Sequence, residues 1–128
     1  MKTIKIKIAI LVAVFLVPLT IGIVSSANTQ VKTFKLFVGN YAYKPSELVV
    51  NAGDVVKLEI TGKKDGRVTK EGYVHSFSIK ELGIDFKFKA GKSEFKFVAP
   101  DTSGTYKIEC TAKCGDKHEQ MVGKLIVK

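Results

Sequence analysis

From Thr33 to the C-terminus the chain is a series of short apolar runs broken by turn residues, and no stretch repeats its apolar positions at helical spacing. This limits the chain to a β fold, because side chains of an extended strand point alternately to two faces. In Thr33–Val38, Phe34, Leu36 and Val38 share one face. Leu48–Val50 leads into the turn Asn51-Ala52-Gly53-Asp54 and then Val55–Ile60. Val74–Ile79 ends at Glu81-Leu82-Gly83, Tyr106–Glu109 follows the turn residues 100–104, and Lys124–Val127 closes the chain. The stretch IDFKFKAGKSEFKFVAP reads as a hairpin, with Ile84, Phe86 and Phe88 on one face, residues 90–93 as its turn, and Phe95 and Phe97 on the next face. Seven or eight short strands at this spacing predict an all-β, antiparallel sandwich or barrel. The loop Gly62–Gly72 carries no obvious chemistry and reads as a solvated connection.

The first 27 residues differ. Lys2, Lys5 and Lys7 precede an apolar run from Ile8 to Val24, and Ser25-Ser26-Ala27 offers a small-residue cleavage point. Residues 1–27 are therefore expected to be a signal peptide or a single membrane anchor, and residues 28–128 the folded domain. Pro18 would kink a spanning helix without preventing one. Both readings place the domain outside the cytoplasm, in the periplasm or on the extracytoplasmic face of the cytoplasmic membrane.

Without those three lysines, 18 of the 21 basic residues remain against 12 acidic ones, a net of +6. Such a surface favours an anionic membrane or an acidic redox partner. The alternating Phe and Lys of residues 84–98 would also suit base stacking on single-stranded nucleic acid. Half-buried strands with Phe inward and Lys outward are the simpler account. No nucleic-acid partner is expected outside the cytoplasm, and Arg67 is the single arginine.

The chemistry concentrates in CTAKCGDKHEQM, Cys110 to Met121, which holds both cysteines, one of the two histidines and one of the two methionines at spacing C-x3-C-x3-H-x2-M. The other histidine, His75, lies 35 residues before the first cysteine in the context VHSFSI. A Cys110–Cys114 disulfide suits an exported protein but closes a very short loop and leaves His118 and Met121 unexplained. A thiol oxidoreductase normally presents C-x2-C at the start of a helix, and zinc has no use for a thioether. Thiolate, thioether and imidazole together suit copper. His75, Cys114, His118 and Met121 would serve one copper on a β-sandwich, with Cys110 left over.

The runs YKPSELVVNAGDVVKLEITG, VHSFSIKELGI and AGKSEFKFVAPDTSGTYKIECTAKCGDKHEQMVGKLIVK resemble the cupredoxin fold, and more narrowly the dinuclear CuA domain of cytochrome c oxidase subunit II and nitrous oxide reductase. The resemblance implies a Greek-key, cupredoxin-like antiparallel β-sandwich, and the apolar run Ile8–Val24 adds one hydrophobic N-terminal helix before it. The resemblance further implies two copper ions bridged by Cys110 and Cys114, with His75 and Met121 completing one copper and His118 and the backbone carbonyl of Ala112 the other. It also implies single-electron transfer between redox proteins, such as a c-type cytochrome and a terminal oxidase or reductase. The carboxylates are scattered and no serine–histidine arrangement stands out, so no small-molecule substrate and no catalysis by the chain itself are expected.

The chain departs from the oxidase pattern. The residue between the cysteines is Ala112 where the oxidase subunit typically has a glutamate, and Gly72 stands where an acid usually precedes the first histidine by three positions. Tryptophan is absent, and Tyr41, Tyr43 and Tyr73 are the nearest substitutes. Subunit II commonly has two transmembrane helices, and this chain has at most one. A stand-alone carrier is the expectation. A subunit of a haem-copper oxidase, a mononuclear blue-copper carrier and a Cu(I) delivery protein are the alternatives.

Overall fold

The computed structural model describes Ala13, Phe15, residues 17–22 and residues 29–128. The expected N-terminal helix falls mostly outside these residues, as does the expected processing point at Ala27. No helix among the described residues is long and apolar enough to cross a membrane.

Nine strands follow: β1 Val31–Gly39, β2 Ala42–Lys44, β3 Glu47–Val50, β4 Val55–Gly62, β5 His75–Ile79, β6 Ile84–Phe88, β7 Gly91–Val98, β8 Gly104–Glu109 and β9 Val122–Val127. They form two sheets, a four-stranded one in the order β2-β1-β4-β7 and a five-stranded one in the order β3-β9-β8-β5-β6. The predicted sandwich is present. Two pairs within it run parallel, β1 with β4 and β3 with β9, and the other ladders are antiparallel. Alternation along each strand produces the core. Leu36 and Val38 of β1, Val56, Leu58 and Ile60 of β4, and Phe77 and Ile79 of β5 are all buried between the sheets, with Leu48, Ile108 and Leu125. Each such side chain contributes about 1.5–3 kcal/mol by leaving water.

One expectation is corrected. IDFKFKAGKSEFKFVAP is not a hairpin. β6 pairs with β5 in one sheet, whereas β7 pairs with β4 in the other, so the chain arches across the sandwich at Lys89-Ala90. Period-two alternation specifies a strand and its inward face but not its neighbour. The phenylalanines meet across the gap instead. Phe86 stacks on Phe95 with ring centroids 4.6 Å apart and planes 6° apart, and Phe97 continues the row to Phe77 at 5.9 Å. The rings stack on one another, not on solvent.

All site-bearing segments gather at one end of the sandwich. β5 starts there, β8 ends there and β9 starts there. β5 and β8 are paired only at Ser78 with Glu109, so the two strands diverge towards that end. The wedge between them is filled by hydroxyls. Ser76 Oγ accepts the Thr111 backbone N–H at 2.7 Å and lies 2.9 Å from Ser78 Oγ and 3.1 Å from Thr111 Oγ1. Ser78 and Thr111 both donate to Asp85 Oδ1, at 2.6 and 2.5 Å. These two bonds hold the Asp85 carboxyl below its ordinary value. From the other side the Tyr43 hydroxyl donates to the Ser76 carbonyl at 2.7 Å.

Candidate metal centre

His75 is the first residue of β5 and is fully buried. Cys110 follows the last residue of β8, and Met121 precedes the first residue of β9. Ser76 and Thr111 are the immediate neighbours of His75 and Cys110, so the hydroxyl wedge fixes the spacing of these two side chains. Between Cys110 and Met121 the chain makes two tight turns. The Cys114 N–H returns to the Ala112 carbonyl at 2.7 Å, and a 3₁₀ turn, His118–Gln120, brings the Met121 N–H to the His118 carbonyl at 3.1 Å. The first turn makes the two cysteines face each other.

Ligand atoms of His75, Cys110 and Cys114 lie within 4.8 Å of one another. The two sulfurs are 3.6 Å apart, and both cysteines are free. Cys114 Sγ lies 3.7 Å from Met121 Sδ, and Cys110 Sγ lies 3.2 Å from the Ala112 carbonyl oxygen. Cys114 and Met121 are wholly buried, whereas Cys110 keeps 8% exposure, a narrow window to the surface. Of the residues singled out from sequence, His118 stands apart. It is half-buried, and its Nδ1 is 3.0 Å from the Gly115 carbonyl.

Burial, the charge of Cys110 and a hydrogen bond from it push the Cys114 thiol up to about 12. Burial lowers the His75 imidazole against the opposing pull of Asp65. Burial thus favours the neutral forms of the Cys114 thiol and the His75 imidazole. Both His75 ring nitrogens are buried and neither meets strict hydrogen-bond geometry, although Asp65 Oδ2 lies 3.0 Å from Nε2. For the nitrogen that Asp65 does not face, a buried polar atom left unpaired costs about 1–3 kcal/mol, which a metal–nitrogen bond would remove. Neutral imidazole, two thiols, a thioether and a carbonyl form a soft donor set, and that chemistry fits copper.

The structure adds a residue the sequence did not single out. Asp65, from the loop Gly62–Gly72, puts Oδ2 3.0 Å from His75 Nε2, with its own side chain only 4% exposed. Its Oδ1 and Oδ2 accept the N–H groups of Asn40 and Tyr41 at 2.7 and 2.8 Å. Burial works to raise its carboxyl, but these two bonds and His75 outweigh it and hold it low. Most of the loop is exposed, as the sequence reading expects, and Asp65 is the exception: its side chain turns inward to the site. In the sequence it is one of two acids, with Glu71, among Lys63, Lys64, Arg67 and Lys70, and nothing sets it apart. Of the tyrosines, Tyr41 reaches the site and packs over Gly115, and Tyr43 supports Ser76 from beneath.

A family model described as a cupredoxin-like domain matches residues 7–127. By sequence alone, no curated protein matches the chain. In three dimensions it is similar to the periplasmic domain of subunit II of cytochrome oxidase of Bradyrhizobium japonicum, at 18% identity and a TM-score of 0.59 over 75% of this chain and 83% of that one. It is also similar to auracyanin A, a blue copper protein of Chloroflexus aurantiacus, at 19% identity and 0.56 over 77% and 99%. A chain of a heme-copper terminal oxidase dimer aligns at 22% identity and 0.58, over 76% of this chain but only 65% of that one. At these identities the likeness is one of fold. His75 and the paired cysteines fit a CuA site of the kind the sequence resembles. With the family match spanning nearly its whole length and its donors gathered at one end of a two-sheet sandwich, the chain belongs to the cupredoxin-like domains.

Proposed function

We propose that this protein is an exported electron carrier that passes single electrons through a dinuclear CuA centre. The observation that carries the reading is the pair of free sulfurs, Cys110 and Cys114, 3.6 Å apart at a buried end of the sandwich. A disulfide would need about 2.05 Å, and a one-copper site needs only one thiolate. Both thiolates would be shared. His75 and Met121 would complete one copper, and the Ala112 carbonyl and His118 the other, once the His118 ring leaves the Gly115 carbonyl. When bound, the copper pair supplies a one-electron couple whose charge change is spread over two ions and two sulfurs.

The chain's own residues supply rigidity and dryness. His75, Cys110 and Met121 sit at strand ends, the first two beside the Ser76–Thr111–Asp85 network, so their positions need change little between oxidation states. Burial of His75, Cys114 and Met121 excludes water, and the window at Cys110 and His118 is where a partner could approach. Ala112 offers a carbonyl and no carboxylate, which favours a stand-alone carrier over a subunit of an oxidase. Donors such as a c-type cytochrome and acceptors such as a terminal oxidase or reductase fit this role, at the outer face of the cytoplasmic membrane or in the periplasm.

Native mass spectrometry of the copper-loaded protein tests the stoichiometry. Two coppers in the wild type and one or none in Cys110→Ser are expected. A single copper in both proteins would replace the reading with the mononuclear carrier.

A further inference from the structure

The loop Gly62–Gly72 touches both halves of the centre. Asp65 lies against His75. Two residues on, the Arg67 backbone N–H donates to the Cys114 carbonyl at 2.8 Å. Gly66, between them, is held so close that a Cβ there would stand 2.9 Å from that carbonyl and 2.6 Å from the Tyr41 hydroxyl. A Cβ at Gly115 would collide with the same hydroxyl. The loop, the Tyr41 ring and the stretch from Cys114 to Gly115 therefore form one close-packed layer. Asp65 is locked within it, because its two oxygens accept the N–H groups of Asn40 and Tyr41. Those residues hold left-handed backbone, at φ 52° and 51°, a conformation that costs side-chain-bearing residues energy and so marks an imposed geometry. The Arg67–Asp116 ion pair at 3.9 Å is exposed on both sides and adds little.

We propose that Asp65 is a positioning residue for His75: its carboxylate fixes the imidazole as the Nε2–H tautomer and so leaves Nδ1 as the atom that faces the metal. The inference rests on His75 being a copper ligand. The donor and acceptor roles of a neutral imidazole are complementary, so an anionic acceptor 3.0 Å from Nε2 draws the proton to that nitrogen. A carboxylate behind a ligand histidine orients the ring and strengthens its basicity. Arg67 and Gly66 keep the loop in register with Cys114, so the histidine and cysteine halves of the site are held by the same strap.

The test reads the tautomer without metal. Imidazole nitrogen shifts of the full-length, copper-free protein, measured by long-range ¹H–¹⁵N correlation, should show His75 as Nε2–H in the wild type and in Asp65→Glu. Asp65→Ala should show a mixture of tautomers. Copper affinity, read by competition with a chelator, should fall about 10–100-fold in Asp65→Ala and recover in Asp65→Glu. A wild-type His75 protonated on Nδ1 overturns the proposal even if every variant fails to fold. An Asp65→Ala protein that keeps the Nε2–H form, or the wild-type affinity, overturns it equally. A wild type that shows the Nε2–H form but binds no copper would refute the proposed function while upholding the tautomer assignment.

Discussion

Replacing Ser76 with alanine tests whether hydroxyls, not ladder hydrogen bonds, hold the diverging ends of β5 and β8 together. Ser76 is fully buried, and its Oγ is the acceptor for the Thr111 N–H at 2.7 Å. Truncation leaves that N–H without its partner, a loss of about 1–3 kcal/mol. The contacts to Ser78 and Thr111 at 2.9 and 3.1 Å are lost too. Those two hydroxyls still reach Asp85, so their share is small, about 0.5 kcal/mol. The expected total is about 2–3 kcal/mol. In urea, with a slope of about 1–3 kcal/mol per M for a domain this size, the midpoint of the metal-free protein should fall by roughly 1 M or more at unchanged slope. Ser103→Ala, at an exposed turn position, is the control and should stay within about 0.5 kcal/mol of wild type. A Ser76→Ala midpoint indistinguishable from that control would refute the claim that this network closes the wedge.

Two further outcomes follow from the charges. The Cys114 thiol sits at about 12, raised from its ordinary 9.0, so at neutral pH it carries its proton and must release it to bind copper as thiolate. Loading should acidify a weakly buffered solution, and affinity should rise with pH by about 1.4 kcal/mol per unit for each proton released; uptake with no proton release would contradict this. Asp85 is held below its ordinary 3.8 by Ser78 and Thr111. A lowered folded-state value stabilises the fold above that ordinary value and fades as pH falls through the lower one. Asp85→Asn should therefore lose stability at neutral pH and converge on wild type in acid. With 46% of the side chain exposed, the difference should stay below about 1 kcal/mol, and urea midpoints at several pH values would show a parallel offset if the assignment is wrong.

The nearness of the two cysteines was legible because it is local. Five of the six proposed donors fall within Cys110–Met121, and the C-x3-C turn that faces the sulfurs toward each other is set by that spacing. His75 was legible as the single other histidine, at the start of a strand. The strands were legible from alternation, but alternation says nothing of pairing, so the arch between β6 and β7 looked like a hairpin. β2, three residues long with only Tyr43 buried, offered too little pattern to see. Asp65 was hidden for a different reason. Its role depends on the loop folding back over Tyr41 and Gly115, a tertiary contact with no periodic trace in the sequence. The serines and threonine of the wedge likewise read as ordinary strand residues until β5 and β8 are seen to diverge.

Whether two sulfurs are shared between two metals is read most directly by electron paramagnetic resonance of the oxidised, copper-loaded protein. One unpaired electron with hyperfine splitting from two equivalent copper nuclei is expected, a signal that Cys110→Ser abolishes. Splitting from a single copper nucleus in the wild type, unchanged in Cys110→Ser, would contradict that sharing.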